Sequence, residues 1–175
     1  VDSDHTIVGE LAESIESDDA TTWVYNLRKG VEFHNGKTMT AEDVVLNYQY
    51  HMNPDTASAA GGLLSQIDTI SADGSDRVIF KLKGANADWP AITTDYHIMI
   101  KPTKDGVVDA QSKIGTGPYI MDEFNPGVGS KFGKRNPNYF KGDSVAHFDS
   151  VEVIAINDPA TRQAALLNGE IDWMN

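Results

Sequence analysis

Between Thr22 and Met52 the spacing of apolar residues changes period, and this change constrains the fold more than any other feature of the chain. From Thr22 to Leu27, Trp23, Tyr25 and Leu27 alternate as in a strand with one buried face. Arg28-Lys29-Gly30 ends it. A short extended stretch, Val31 to His34, runs into Asn35-Gly36, a pair that tolerates positive φ and predicts a tight turn. Thr40 has the character of a helix N-cap, and Glu42 and Asp43 put negative charge where the helix dipole favours it. Val44, Val45, Tyr48 and Met52 recur at helical spacing, which predicts a helix from Ala41 to about His51, stopped by Asn53-Pro54. Strand and helix in such close succession predict an α/β chain.

The same alternation continues downstream. Asp55 to Leu64 is small and polar, too poor in side chains for a core, and reads as a loop or short helix lining something. Ile67 to Ser71 and Arg77 to Lys83 flank Ala72-Asp73-Gly74-Ser75 and predict an antiparallel hairpin. Trp89 to Ile92 suits a short helix opened by Asp88, and His97 to Ile100 a strand ended by Pro102. Gly115-Thr116-Gly117-Pro118-Tyr119 breaks regular structure and is expected to mark a lobe boundary. Beyond it come Tyr119 to Glu123, a turn at Gly127-Val128-Gly129, Ser130 to Lys134, and the loop from Asn136 to Phe140. The last unit reads as strand Val151 to Ile156, cap Asp158, helix Ala160 to Asn168, stop Gly169 and strand Ile171 to Met174. That is a βαβ unit with parallel strands, which needs neighbours this chain does not go on to supply. Val151, Val153 and Ile171 are therefore expected to be exposed, and the piece to self-associate.

Composition removes many functions. Fourteen Lys and Arg against 26 Asp and Glu give a net charge of -12, a field that repels nucleic acid and anionic lipid. The absence of cysteine excludes thiol chemistry, disulfides and cysteine-ligated zinc. No apolar run reaches the roughly 20 residues of a membrane-spanning helix, and no secretory signal opens the chain, which starts at Val1 as after processing or at a boundary. The five histidines, His5, His34, His51, His97 and His147, show no metal-binding spacing, and each reads as an isolated surface or packing residue. Gly127-Val128-Gly129-Ser130 lacks the third glycine and strand-to-helix setting of a nucleotide loop, and no nucleophile elbow or phosphate loop occurs. No cofactor and no metal site is expected. Trp23 and Tyr25 read as core; Trp89, Tyr96 and Tyr139, in or beside loops, read equally well as core or as binding residues.

Several stretches together resemble one family. They are Leu11 to Ser14, Trp23 to Gly36, Thr40 to Val45, Asn53 to Ser58, Gly115 to Tyr119, Arg135 to Phe140, and Asp158 to Arg162 with Gly169 to Asp172. In order and spacing they are similar to the family 5 extracellular solute-binding proteins of ABC importers, the peptide, nickel and opine class. The resemblance implies a fragment of the periplasmic binding protein-like II (cluster C) fold, a mixed sheet with antiparallel hairpins and a C-terminal βαβ unit. Residues 1–117 would be the small subdomain of lobe I and 118–175 part of its main sheet, with the opposite lobe absent. It further implies a periplasmic protein that captures a small solute or peptide and delivers it to an importer permease, without breaking bonds. Relatives often carry an aromatic after the helix stop, where this chain has Ala59, Ala60, Gly61 and Gly62. Thr94-Asp95-Tyr96-His97 matches a region that faces the cleft, which makes Tyr96 and His97 the expected ligand contacts and Asp95 a cation partner. The competing functions are a periplasmic hydrolase, in which Asp95 and His97 act with a loop serine, and a solute-sensing receptor.

Overall fold

The computed structural model describes Asp4 and residues 6–174, so Val1 and His5 lie outside the described residues. Strand β1 (Ala12–Glu16) pairs with β2 (Thr22–Leu27), and after helix α1 (Ala41–Met52) and the single turn α2 (Gly61–Leu64) come β3 (Ile67–Ala72) and β4 (Arg77–Leu82). These strands form an antiparallel sheet in the order β1-β2-β4-β3. The expected hairpin is β3 and β4, with Gly74 at φ +72° in its turn.

Helix α1 starts as its sequence predicts. The Thr40 side chain accepts from the Asp43 N–H while the Asp43 carboxylate takes the Thr40 N–H, a reciprocal capping box. Its apolar face, Val44, Val45 and Tyr48, is buried with Val78, Phe80 and Leu82 of the sheet. Phe80 is the centre of this core. Tyr48 and Tyr25 meet it edge-on at ring centroids 4.9 and 5.0 Å apart, and Trp89 of the short helix α3 (Trp89–Ile92) lies 5.3 Å away. Trp89 is wholly buried, so core packing is its role.

The expected strand from His97 to Ile100 does not form. Asp95 takes the His97 N–H on its side chain at 2.9 Å and the Ile98 N–H on its carbonyl at 3.0 Å, and this turn uses backbone groups a strand would need. A hairpin follows instead, β5 (Thr103–Lys104) with β6 (Val107–Val108), turned by Asp105 and Gly106 at φ +53° and +77°.

Past Gly117 come β7 (Tyr119–Ile120), β8 (Glu123–Asn125), β9 (Gly129–Phe132), β10 (Lys134–Arg135), β11 (Val151–Ile154) and α4 (Pro159–Leu167). They form a three-stranded sheet, β11-β9-β8, and a β10-β7 pair, all antiparallel. The strand and helix of the predicted βαβ unit are present, but residues 171–174 carry no strand, which corrects the expected parallel pair. β11 spends its one paired edge on β9, and no described strand offers residues 171–174 a partner. Val153 is exposed as expected, whereas Val151 and Ile171 are half-buried. Phe124, Ile154, Leu167 and Trp173 extend the exposed apolar surface of this part.

The Gly-Thr-Gly break is a clasp. The His34 Nε2–H donates to the Gly117 carbonyl at 3.0 Å, its Nδ1 accepts from the Gly115 N–H at 3.2 Å, and Asn136 also donates to Gly117 O at 3.0 Å.

Candidate functional site

A cleft of about 270 Å³ opens between the last turns of α1, the loop at 56–58, the segment 97–101 and the β5–β6 hairpin. Its polar lining comes from Asn47, Tyr50, His51, Ser58, His97 and Lys101. Met99 and Val108 add apolar surface.

The wall is held in place by buried polar side chains on α1. Asn47 donates to the carbonyls of Asp43 and Lys101, both at 2.8 Å, and accepts the Lys101 N–H at 3.0 Å, satisfying every group it has at the junction. One turn earlier, Asp43 accepts from Thr103 through both its N–H (3.0 Å) and hydroxyl (2.6 Å), and pairs with the Lys37 ammonium. Burial pushes the Asp43 carboxyl up, but hydrogen bonds from Lys37, Thr103 and the backbone of Thr40 outweigh it and hold the group below its usual range. The consequence is a fixed path for residues 101–103 along the first half of α1.

Of the three residues expected from the sequence, His97 alone lines the cleft. Asp95 Oδ1 accepts from His97 Nδ1–H at 2.8 Å, which fixes the ring's tautomer and direction, and those bonds keep the Asp95 carboxyl low. Tyr96 is exposed and its ring lies against that of His97, tilted by 34° with centroids 3.9 Å apart. The structure thus brings the three together as one turn with a single imidazole directed by its neighbours.

His51, Ser58, Asn47 and Lys101 were not expected. His51 Nδ1 and Ser58 Oγ share a hydrogen bond of 2.7 Å, and Ser58 Oγ also accepts from the Ala60 N–H at 3.3 Å. Burial and the neighbouring His97 lower the pKa of His51. Lys101 is lowered by burial, partly offset by Asp109, and its ammonium donates to Ser112 O at 2.8 Å. Of this group only Ser58 had a sequence signal, the small polar run at 55–64, which supplies Thr56 and Ser58 to the cleft.

Among the described residues the trio of the competing hydrolase reading does not assemble around one ring. Asp95 orients His97, while the loop serine, Ser58, bonds to the other imidazole, His51, so the three functions are divided between two rings. Among the described residues no three His, Asp or Glu side chains converge as a metal site.

The fold is thus a mixed α/β domain with a polar cleft held in place by buried hydrogen bonds. More narrowly, the chain belongs to the bacterial extracellular solute-binding proteins, family 5, whose middle region it matches over residues 6–175. It is 30% identical over 176 residues to the oligopeptide-binding protein AppA of Bacillus subtilis, covering 94% of this chain and 32% of AppA. It is 28% identical over 182 residues to the nickel-binding periplasmic protein of Escherichia coli, covering 98% of this chain and 34% of that protein. The solved structure of AppA in complex with a nonapeptide superposes on 93% of this chain and 34% of its own with a TM-score of 0.76, at 28% identity. The chain spans about a third of the length of these relatives. Among the described residues no helix is long and apolar enough to cross a membrane.

Proposed function

We propose that this chain supplies one wall of the ligand cleft in a periplasmic solute-binding protein that hands a small, peptide-like solute to an ABC importer permease. The binding relatives support capture without chemistry, and the AppA resemblance supports a peptide-like solute. In this reading residues 1–117 are the small subdomain of the first lobe and 118–175 a portion of its main sheet, joined at the His34 clasp. The facing lobe comes from chain beyond these residues, and the exposed apolar surface at Phe124, Val153 and Trp173 is where this piece alone would self-associate. The observation that carries the reading is the cleft wall itself, a polar surface on a path pinned by Asn47 and Asp43, with His97 aimed by Asp95 and covered by Tyr96.

The test is calorimetry on a protein that carries both lobes. Tyr96→Ala and His97→Ala each weaken solute binding, by about tenfold for loss of one good contact. Undiminished binding by both variants removes the assignment of this turn to the ligand.

A further inference from the structure

The cleft has an electrostatic character opposite to that of the chain. Acids outnumber Lys and Arg by 26 to 14, yet no Asp or Glu lines the cleft, while Lys101, His51 and His97 do. The two nearby carboxylates stand behind the lining: Asp95 is bonded to His97, and Asp109 acts on Lys101 from outside the cleft. Each imidazole uses Nδ1 within the protein, toward Ser58 or Asp95, and neither Nε2 takes a hydrogen bond among the described residues. Among the described residues Lys101 donates one bond, to Ser112 O, of the three its ammonium can make.

We propose that the cleft holds a carboxylate of its ligand between the Nε2–H groups of His51 and His97 and the Lys101 ammonium, and that binding takes up a proton. The inference rests on the cleft being a ligand wall and specifies what the ligand must carry. The geometry has a defined proton logic. His97 Nδ1 is engaged by Asp95, which leaves Nε2 as its ring nitrogen without a protein partner among the described residues. Burial and the neighbouring His97 lower the pKa of His51, and an anion in contact with both rings offsets that repulsion. The charged and titratable groups around the pair are Asp95 and Tyr96 from the 95–97 turn, Tyr50 from α1, Lys101, and Asp109 beyond β6. At the end of α1 the Gln49 and Tyr50 carbonyls are bonded by the Asn53 N–H and the Thr56 hydroxyl. Lys101 beside the rings disfavours a bare metal ion as the occupant.

Imidazole-detected NMR titration of the 175-residue chain at constant ionic strength tests this, with succinate, its uncharged diamide, and Ni²⁺ as probes. Succinate perturbs both rings, binds about tenfold more tightly near pH 6 than near pH 8, and moves the His51 titration midpoint up by about one pH unit. The diamide does not. His51→Gln and His97→Gln flatten the pH dependence, whereas Lys101→Met weakens binding at both pH values by a similar factor. Equal binding of succinate and diamide, or binding indifferent to pH, overturns the carboxylate proposal and leaves the cleft as a ligand wall. Ni²⁺ shifting both rings while succinate is inert replaces the anion by a metal. If no probe reaches either ring, the cleft reading falls with the inference.

Discussion

Asp43 does two jobs with one carboxylate. Its Oδ2 closes the capping box of α1, and its Oδ1 receives Thr103 and Lys37, so the start of the helix and the chain leading out of the cleft share an anchor. A fully buried carboxylate with this many donors is stabilising only while all of them remain. Asp43→Asn keeps the volume but loses the charge and leaves donors facing one another. It should lower the unfolding free energy by about 3 kcal/mol in urea titration. The pH dependence has a definite direction. The folded-state pKa lies below the ordinary value of 3.8, so the stabilisation is complete above that value and disappears as pH falls through the folded one. Wild type should therefore lose stability below about pH 4 more steeply than Asp43→Asn, and parallel acid-unfolding curves would assign the effect to other carboxylates.

At the scale of elements, what could be read in the sequence depended on whether an element carries its own instructions. Helix α1 does, with cap, acidic first turn and apolar face, and it forms over Ala41–Met52. The β3–β4 hairpin does too, through alternation around a glycine turn. β1 does not, because Ala12-Glu13-Ser14-Ile15-Glu16 has no strong alternation and exists as an edge strand supported by β2. The β5–β6 hairpin was detectable from Asp105-Gly106 alone, a turn pair flanked by strands too short to show a period. For the cleft, the turn at Asp95–His97 was legible because its residues are contiguous. His51 and Lys101 were not, since only the fold brings the end of α1 against segments 50 residues and more later in sequence. The β9–β11 pairing adds a prediction of its own. Gly129 sits opposite Ile154, and a Cβ there would overlap the Val153 carbonyl oxygen, a backbone atom that cannot step aside. Gly129→Ala should cost about 1–3 kcal/mol and raise amide exchange in β11, while α1 keeps its protection. Unchanged exchange in β11 would show that the strands can separate freely at this point.

For the whole molecule the uneven burial is the governing fact. The core cluster draws on residues between Tyr25 and Ile98, whereas the β11-β9-β8 sheet and α4 expose Phe124, Val153, Leu167 and Trp173. Such surface on the isolated chain should produce concentration-dependent association in sedimentation velocity, and Val153→Lys with Trp173→Lys should reduce it. Affinity follows the same asymmetry. A cleft that holds a small ligand well buries roughly 70 to 90% of its surface, and a single open wall reaches far less. Association entropy is lost in full whichever number of walls is present, so removing half of the contacts lowers affinity by much more than half in logarithmic terms. The 175-residue chain should therefore bind peptides no better than about millimolar, while a protein with both lobes binds its solute orders of magnitude more tightly. Calorimetry on the two decides it, because micromolar peptide binding by this chain alone would mean that one wall suffices and that closure of a second lobe is not what creates the site.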